Sequence, residues 1–287
     1  MTIATPTTPA PATHAPGSTG PVPAGHYSPA GVLRSEWTKL RSVRSTIWSL
    51  LALAVGTIGL GALFTAVASN RWSTFSRLEQ LVFDPTSRSL RGIFLAQLAI
   101  GVLGILVITN EYSTGMIRST LAAVPNRPLV LAAKAAVFGV VALVVSEVVT
   151  FVAFFVGQAL LTSPAPHATL GQPGVLRAVV GSGLYLAVLG LFALGIGSLI
   201  RHTAGAISAF VGTLLILPLL VQAFPTSVQN SLDKYLPLSI AQSMITVQGA
   251  TQRASHTFAP WTGLAVLAVY AVVVLVAGGI LFVRRDA

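Results

Sequence analysis

The stretch NEYSTGMIRSTLAAVPNRPLVLAAK, residues 110–134, is polar, charged and turn-rich, and it is wedged between two long apolar runs. Glu111, Arg118 and Arg127 make it too hydrophilic to cross hydrocarbon. Thr114-Gly115 and Pro125-Asn126 punctuate it, because glycine and asparagine tolerate turn conformations and proline ends a preceding helix. A short helix with defined ends is expected between them, in a loop that leaves the bilayer on the cytoplasmic side. A plain connector needs less pattern than this, so the loop reads as one that a partner grips.

The composition outside the loop places the chain in a membrane. Hydrophobic residues make up 54% and charged residues 8%, whereas soluble domains carry roughly 25% charged residues. A mean hydropathy of +0.81 agrees. The net charge of +10 raises the question of nucleic acid. Lys and Arg stand mostly at the ends of apolar segments and form no dense tract, which fits membrane orientation and not a nucleic-acid surface. With no cysteine, disulfides, thiolate metal sites and a catalytic thiol are excluded.

Residues 1–31 are rich in Pro, Thr, Ala and Gly, carry no acid, Lys or Arg, and contain no apolar block able to act as a signal. A disordered cytoplasmic tail is expected there, with His14 and His26 as solvated side chains, ahead of one membrane domain over 32–287. Six apolar segments follow, near 47–68, 93–109, 135–161, 178–200, 203–224 and 261–283. Each approaches the roughly 20 residues a spanning helix needs, the second being the shortest. The predicted fold class is an all-α integral membrane protein of six transmembrane helices, since lipid leaves an open chain no other way to satisfy its backbone. Pro218 is expected to kink the fifth span, and the glycines of the first and fourth spans to permit close helix packing.

An even number of spans puts both termini on one side, and charge selects which. Arg34, Lys39, Arg41, Arg44, Arg118, Arg127, Lys134, Arg201, Arg284 and Arg285 fall on the side of the termini, against Arg71, Arg77, Arg88, Arg91, Arg177, Lys234 and Arg253 on the other. The positive-inside rule makes the first set cytoplasmic. The segment 33–45 places Leu33, Trp37 and Leu40 on one helical face with basic groups around the rest, so it reads either as an interfacial helix or as a plain basic flank. Between spans five and six, residues 225–260 mix Leu232, Tyr235, Leu236, Ile240, Met244 and Ile245 with polar groups. One or two amphipathic helices resting on the outer rim are expected.

The pattern Glu111-Tyr112, Gly115, Arg118, Pro125-x-Arg127 and Lys134 resembles the ABC-2 family of exporter permeases, and Glu36, Trp37, Lys39 and Arg41 resemble the interfacial helix with which such permeases begin. Lys234-Tyr235-Leu236-Pro237 with Ala241-Gln242 is similar to a further family pattern, extending the resemblance from Leu33 to the carboxyl end. The resemblance implies an interfacial helix bordering an ATPase-docking surface and a coupling loop at 110–127. It also implies a separate ABC ATPase subunit that holds the ATP and Mg, a second permease copy or paralogue, and a place in the cell membrane. Glu111 and Arg118, seven residues apart, are expected on one helical face turned toward that ATPase.

The chain offers no zinc pair, no nucleophile elbow, no paired aspartates within spans and no phosphate loop. No catalytic residue, metal site or bound cofactor is therefore expected, and no nucleic acid partner. Glu147 is the strongly acidic group deep in a span, 13 residues past Lys134. It is read either as a pathway residue or as a protonated group hydrogen-bonded to a neighbouring backbone or hydroxyl, with Ser146 and Thr150 at hand. An exporter subunit is the reading these features favour; a non-transporting scaffold or sensor, and an intramembrane enzyme, are the competing classes. An apolar pathway of Ala, Val, Leu and Gly does not select among lipids, hydrophobic antibiotics and amphipathic peptides.

Overall fold

A computed structural model describes residues 28–247 and 257–284, and every regular element in them is helical. The chain enters at α1 (Pro29–Ser42), whose first turn is capped by Ser28 Oγ accepting from the Gly31 N–H at 3.1 Å. Extended Val43 breaks it from α2 (Arg44–Asn70), the first span. At the far end lie two short helices: α3 (Arg77–Leu81), opened by a reciprocal Ser76–Glu79 capping box, and α4 (Pro85–Ser89), capped by Asp84. The Ser76 backbone N–H holds the exposed Glu79 carboxyl below its usual pKa.

The second and third spans are α5 (Ile93–Ser113) and α7 (Arg127–Leu160), joined by the short α6 (Met116–Ala123). Then come α8 (Val175–Ile200) and a fifth span made of α9 (Thr203–Val211), a π turn at Gly212–Ile216, and α10 (Leu217–Val221). The short α11 (Thr226–Leu232) and α12 (Pro237–Ile245) precede α13 (Pro260–Arg284). Among the described residues, six helices are thus long and apolar enough to cross a membrane. The tail reading for residues 1–27 and the charges Arg253 and Arg285 lie outside the described residues; residues 29–31 already belong to α1.

The central helix is α8, 78% buried within its most apolar stretch against 22–56% for the other spans. It packs against α5, α7 and α13. Small residues make this close: the Gly190 carbonyl lies directly on Gly104 of α5, where no larger side chain fits. The fifth span bends its hydrogen-bond register at Gly212–Ile216 just before Pro218, which has no N–H to give and crowds the carbonyl four residues back. With 19 residues that span is the shortest, in place of the second, whose helix runs to 21 by continuing through Glu111.

The outer-helix expectation needs correction at α12. Among the described residues of this segment, α11 has no buried residue, as expected of a helix at the surface. α12 is wedged between α5, α8 and α13, burying Pro237, Ser239, Ile240, Ala241, Met244 and Ile245. Gly181 and Gly263 provide the room, receiving Met244 and Ile240. The buried Tyr185 hydroxyl fastens the entry of α12, bonding Gln97 Oε1 at 2.9 Å and the Pro237 carbonyl at 3.1 Å.

Candidate functional site

At the end of the bundle where α1 begins and α13 finishes, four charges from three helices meet. Lys134 of α7 donates to Glu36 Oε2 of α1 at 2.6 Å and to Glu111 Oε1 of α5 at 2.9 Å. Lys39 donates to Glu36 Oε1 at 2.8 Å, to the same Glu111 oxygen at 3.0 Å, and to the Thr120 hydroxyl of α6 at 3.1 Å. Two carboxylates and two ammoniums cancel, which is what allows Glu36, Glu111 and Lys134 to be buried. Burial disfavours the Lys39 cation, but Glu36 and Glu111 more than offset it and raise its pKa above the ordinary lysine value. The cluster borders a cavity of about 50 Å³ whose other walls are mostly apolar, among them Leu40, Leu103, Val107 and Phe138.

The arrangement follows from helix periodicity. Val32, Glu36 and Leu40 recur every four residues and form the buried face of α1, which lies mainly along α7. Leu33 and Trp37 flank that face and stay half exposed, available to lipid, while Arg34 and Arg41 are exposed on the far side. α1 is therefore held by protein on one stripe and offers an apolar edge on the next, as an interfacial helix requires.

A second fastening closes the same end. Arg201, at the turn between α8 and α9, has φ 59°, a left-handed cap that a non-glycine residue adopts only when held. Its guanidinium lies 5.2 Å from the Tyr112 ring and 5.9 Å from the Phe282 ring, and donates to the Leu281 carbonyl at 2.8 Å. Arg127 donates to the carbonyls of Phe282 at 3.1 Å and Val283 at 3.4 Å. Two cations thus satisfy the carbonyls that end α13.

The polar block is therefore split. Glu111, Tyr112, Arg127 and Lys134 turn inward and clamp helices to one another. Gly115, Arg118 and Pro125 are exposed. The expectation that Glu111 and Arg118 share a helical face is wrong: Glu111 lies buried in the last turn of α5, and left-handed Gly115 (φ 72°) breaks the chain before α6 begins. The short helix between the two turn signals does form. It is seated by buried Ile117 and turns Arg118, Ser119, Ala122 and Ala123 outward, and Asn126 Oδ1 then caps α7 by accepting from the Leu129 N–H at 3.1 Å.

The family model for ABC-2 family transporter protein matches residues 32–217, from the start of α1 into the fifth span. The chain belongs to the ABC-2 transporter family. It is a multi-pass membrane protein and the non-catalytic permease component of an ABC transporter, a class that works with an ABC ATPase subunit. Among curated proteins none matches the chain. The matched region contains all four members of the ion cluster, α6 and Glu147; it stops before residues 234–242.

Inside this ABC-2 permease, Glu147 stands where α7 meets α8. Its carboxyl lies in a notch made by Gly183, where an added Cβ would come within 2.5 Å of the Glu147 carboxyl carbon. Neither expected hydroxyl serves it: Thr150 donates to the Glu147 backbone carbonyl at 3.0 Å, and the buried Ser146 hydroxyl makes no hydrogen bond. Glu147 Oε2 is likewise buried without a partner among the described residues. Among those residues no group of three or more His, Cys, Asp or Glu could hold a metal. Sequence reasoning missed the Arg201 contacts, the Gln97–Tyr185 pair and the Gly183 notch, each of which joins positions 80 or more apart or depends on a missing side chain.

Proposed function

We propose that this permease is the transmembrane subunit of an ATP-driven exporter, coupled through α6 to a separate ATPase in the cytoplasm. The observation that carries this reading is the way α6 is mounted. Its outer face is free for a partner, while Thr120 on its inner side shares Lys39 with α1, and through Glu36 and Glu111 with α7 and α5. A push on α6 reaches three helices through one ion cluster. Interfaces between rigid packed elements respond to such a push by shifting as bodies, which suits a transport cycle.

The charge bias supports a cytoplasmic placement of this end and of both termini in the plasma membrane. Six spans are half of the transmembrane unit usual in the family, so a second permease copy or paralogue completes the pathway, with ATP and Mg held on the ATPase. Glu147, unpaired at the α7–α8 seam, is the pathway candidate. Arg118→Glu tests the coupling, because it alters an exposed charge outside the clamp. Co-purification with the ATPase should fall by about tenfold, the scale of a lost interface charge contact, with thermal stability unchanged. Undiminished ATPase binding together with undiminished export would overturn the assignment of α6 as the coupling element.

A further inference from the structure

At the end of the bundle opposite the start of α1, α2, α4, α5 and α12 enclose an open cleft of about 670 Å³ whose lining includes Leu60, Phe64, Ser87, Arg91, Leu95 and Gln242. Its wall is mostly aliphatic and aromatic. Among the described residues Arg91 is the one charged side chain lining it, and none of the carboxylates there pairs with it. The nearby carboxylate of Asp84 is already engaged, Oδ1 by the Ser87 N–H at 3.0 Å and Oδ2 by the Val247 N–H at 2.7 Å. The Arg91 guanidinium instead lies over the Phe64 ring at 5.7 Å. Arg88 lies close enough that burial and the Arg91 charge together hold its pKa below the usual arginine value. Two cations are therefore near one another.

Depth makes this informative. Counting from Ile47, beside basic Arg44, about 20 residues at 1.5 Å per residue carry a hydrocarbon core of about 30 Å to roughly Val67 on α2. The Gly92 backbone abuts the Thr57 carbonyl and the Ser89 carbonyl abuts Gly61, so Arg91 leaves the backbone below that boundary. Its head, at the Phe64 ring, lies about 5 Å inside, three residues short of Val67. A cation at that depth is costly unless an anion or water meets it, and lipid phosphates and carboxylates lie just outside the hydrocarbon boundary, close enough for a snorkelling arginine or a locally thinned bilayer to bring the two together.

We infer that the cleft is a binding site for an anionic membrane lipid, its phosphate or carboxylate on Arg91 and its acyl chain along Leu60, Phe64, Phe94 and Leu95. Gln242 and Ser87 offer further hydrogen bonds at the same level. The assignment stands on the cleft and does not require that the chain export anything. The test uses the purified chain, without ATPase, in nanodiscs of equal parts phosphatidylglycerol and phosphatidylcholine, with tightly retained lipid read by native mass spectrometry. Wild type should retain phosphatidylglycerol over phosphatidylcholine by about tenfold, the scale of a charge-assisted hydrogen bond. Arg91→Gln should abolish the preference and Arg71→Gln, an exposed cation at the end of α2, should keep it. Leu60→Trp, which fills the cleft with the charge intact, should lower retention of both lipids and stands in if Arg91→Gln does not fold. Equal retention of the two lipids by wild type, an unchanged preference in Arg91→Gln, or displacement by millimolar inorganic phosphate would each overturn the proposal.

Discussion

A buried ion pair gains its strength from being complete. Removing one member of a buried cluster leaves an uncompensated charge, at a cost of about 3–5 kcal/mol, whereas removing a neutral pair costs much less. Lys134→Met should therefore lower the melting transition of the detergent-purified chain far more than the double change Lys134→Met with Glu111→Gln. Additive losses would show that Lys134 and Glu111 are not coupled. The Gly183 notch makes a second prediction of the same kind. A methyl there meets the Glu147 carboxyl, so Gly183→Ala should destabilise by about 1–3 kcal/mol as an overpacked site does, and Glu147→Ala with Gly183→Ala should recover most of that loss. If the pair is no more stable than Gly183→Ala alone, the notch is held by something other than the carboxyl.

Among the elements, α6 depends on Gly115. With φ 72° and no atom within 4 Å of an added Cβ, alanine there meets no neighbour and suffers only left-handed strain, about 1–2 kcal/mol. Gly115→Asn should cost less than Gly115→Ala, since asparagine tolerates this conformation, and chemical denaturation of the purified chain would rank the two. This boundary was readable in advance because glycine and proline punctuate locally. The spans were readable for the same reason: apolar length is a property of consecutive residues. The inward turn of Glu111 was not, because whether a charge at a span end faces a partner protein or a lysine on another helix is decided by tertiary contacts such as those of Lys39 and Lys134. Nor was the burial of α12 legible. Nine residues of mixed polarity look alike at a rim and in a groove, and the groove exists only because Gly181 and Gly263 are small.

For the whole molecule, the two ends differ in how their charges are used. At the end where α1 begins and α13 finishes, Lys39, Arg127, Lys134 and Arg201 are consumed in fastening helices. They would hold those positions whichever way the chain inserted, so they weigh less in an orientation argument than the exposed Arg34, Arg41 and Arg118. At the far end Arg91 faces a cleft and Arg177 ties α8 to the carbonyls of Met244 and Thr246. What an orientation test must weigh is the exposed set Arg34, Arg41, Arg44 and Arg118 against the exposed Arg71 and Arg77 at the far end. The natural absence of cysteine allows a clean check by introducing single thiols. Position 115 is a poor choice because its backbone is left-handed, whereas Ser119 on α6, His202 at the α8–α9 turn and Asn230 on α11 are exposed and strain-free on this criterion. In intact cells a membrane-impermeant maleimide should label Asn230→Cys and spare Ser119→Cys and His202→Cys until the membrane is permeabilised. Labelling of 119 and 202 with protection of 230 would invert the topology, and would put the ion cluster and α6 out of reach of any cytoplasmic ATPase.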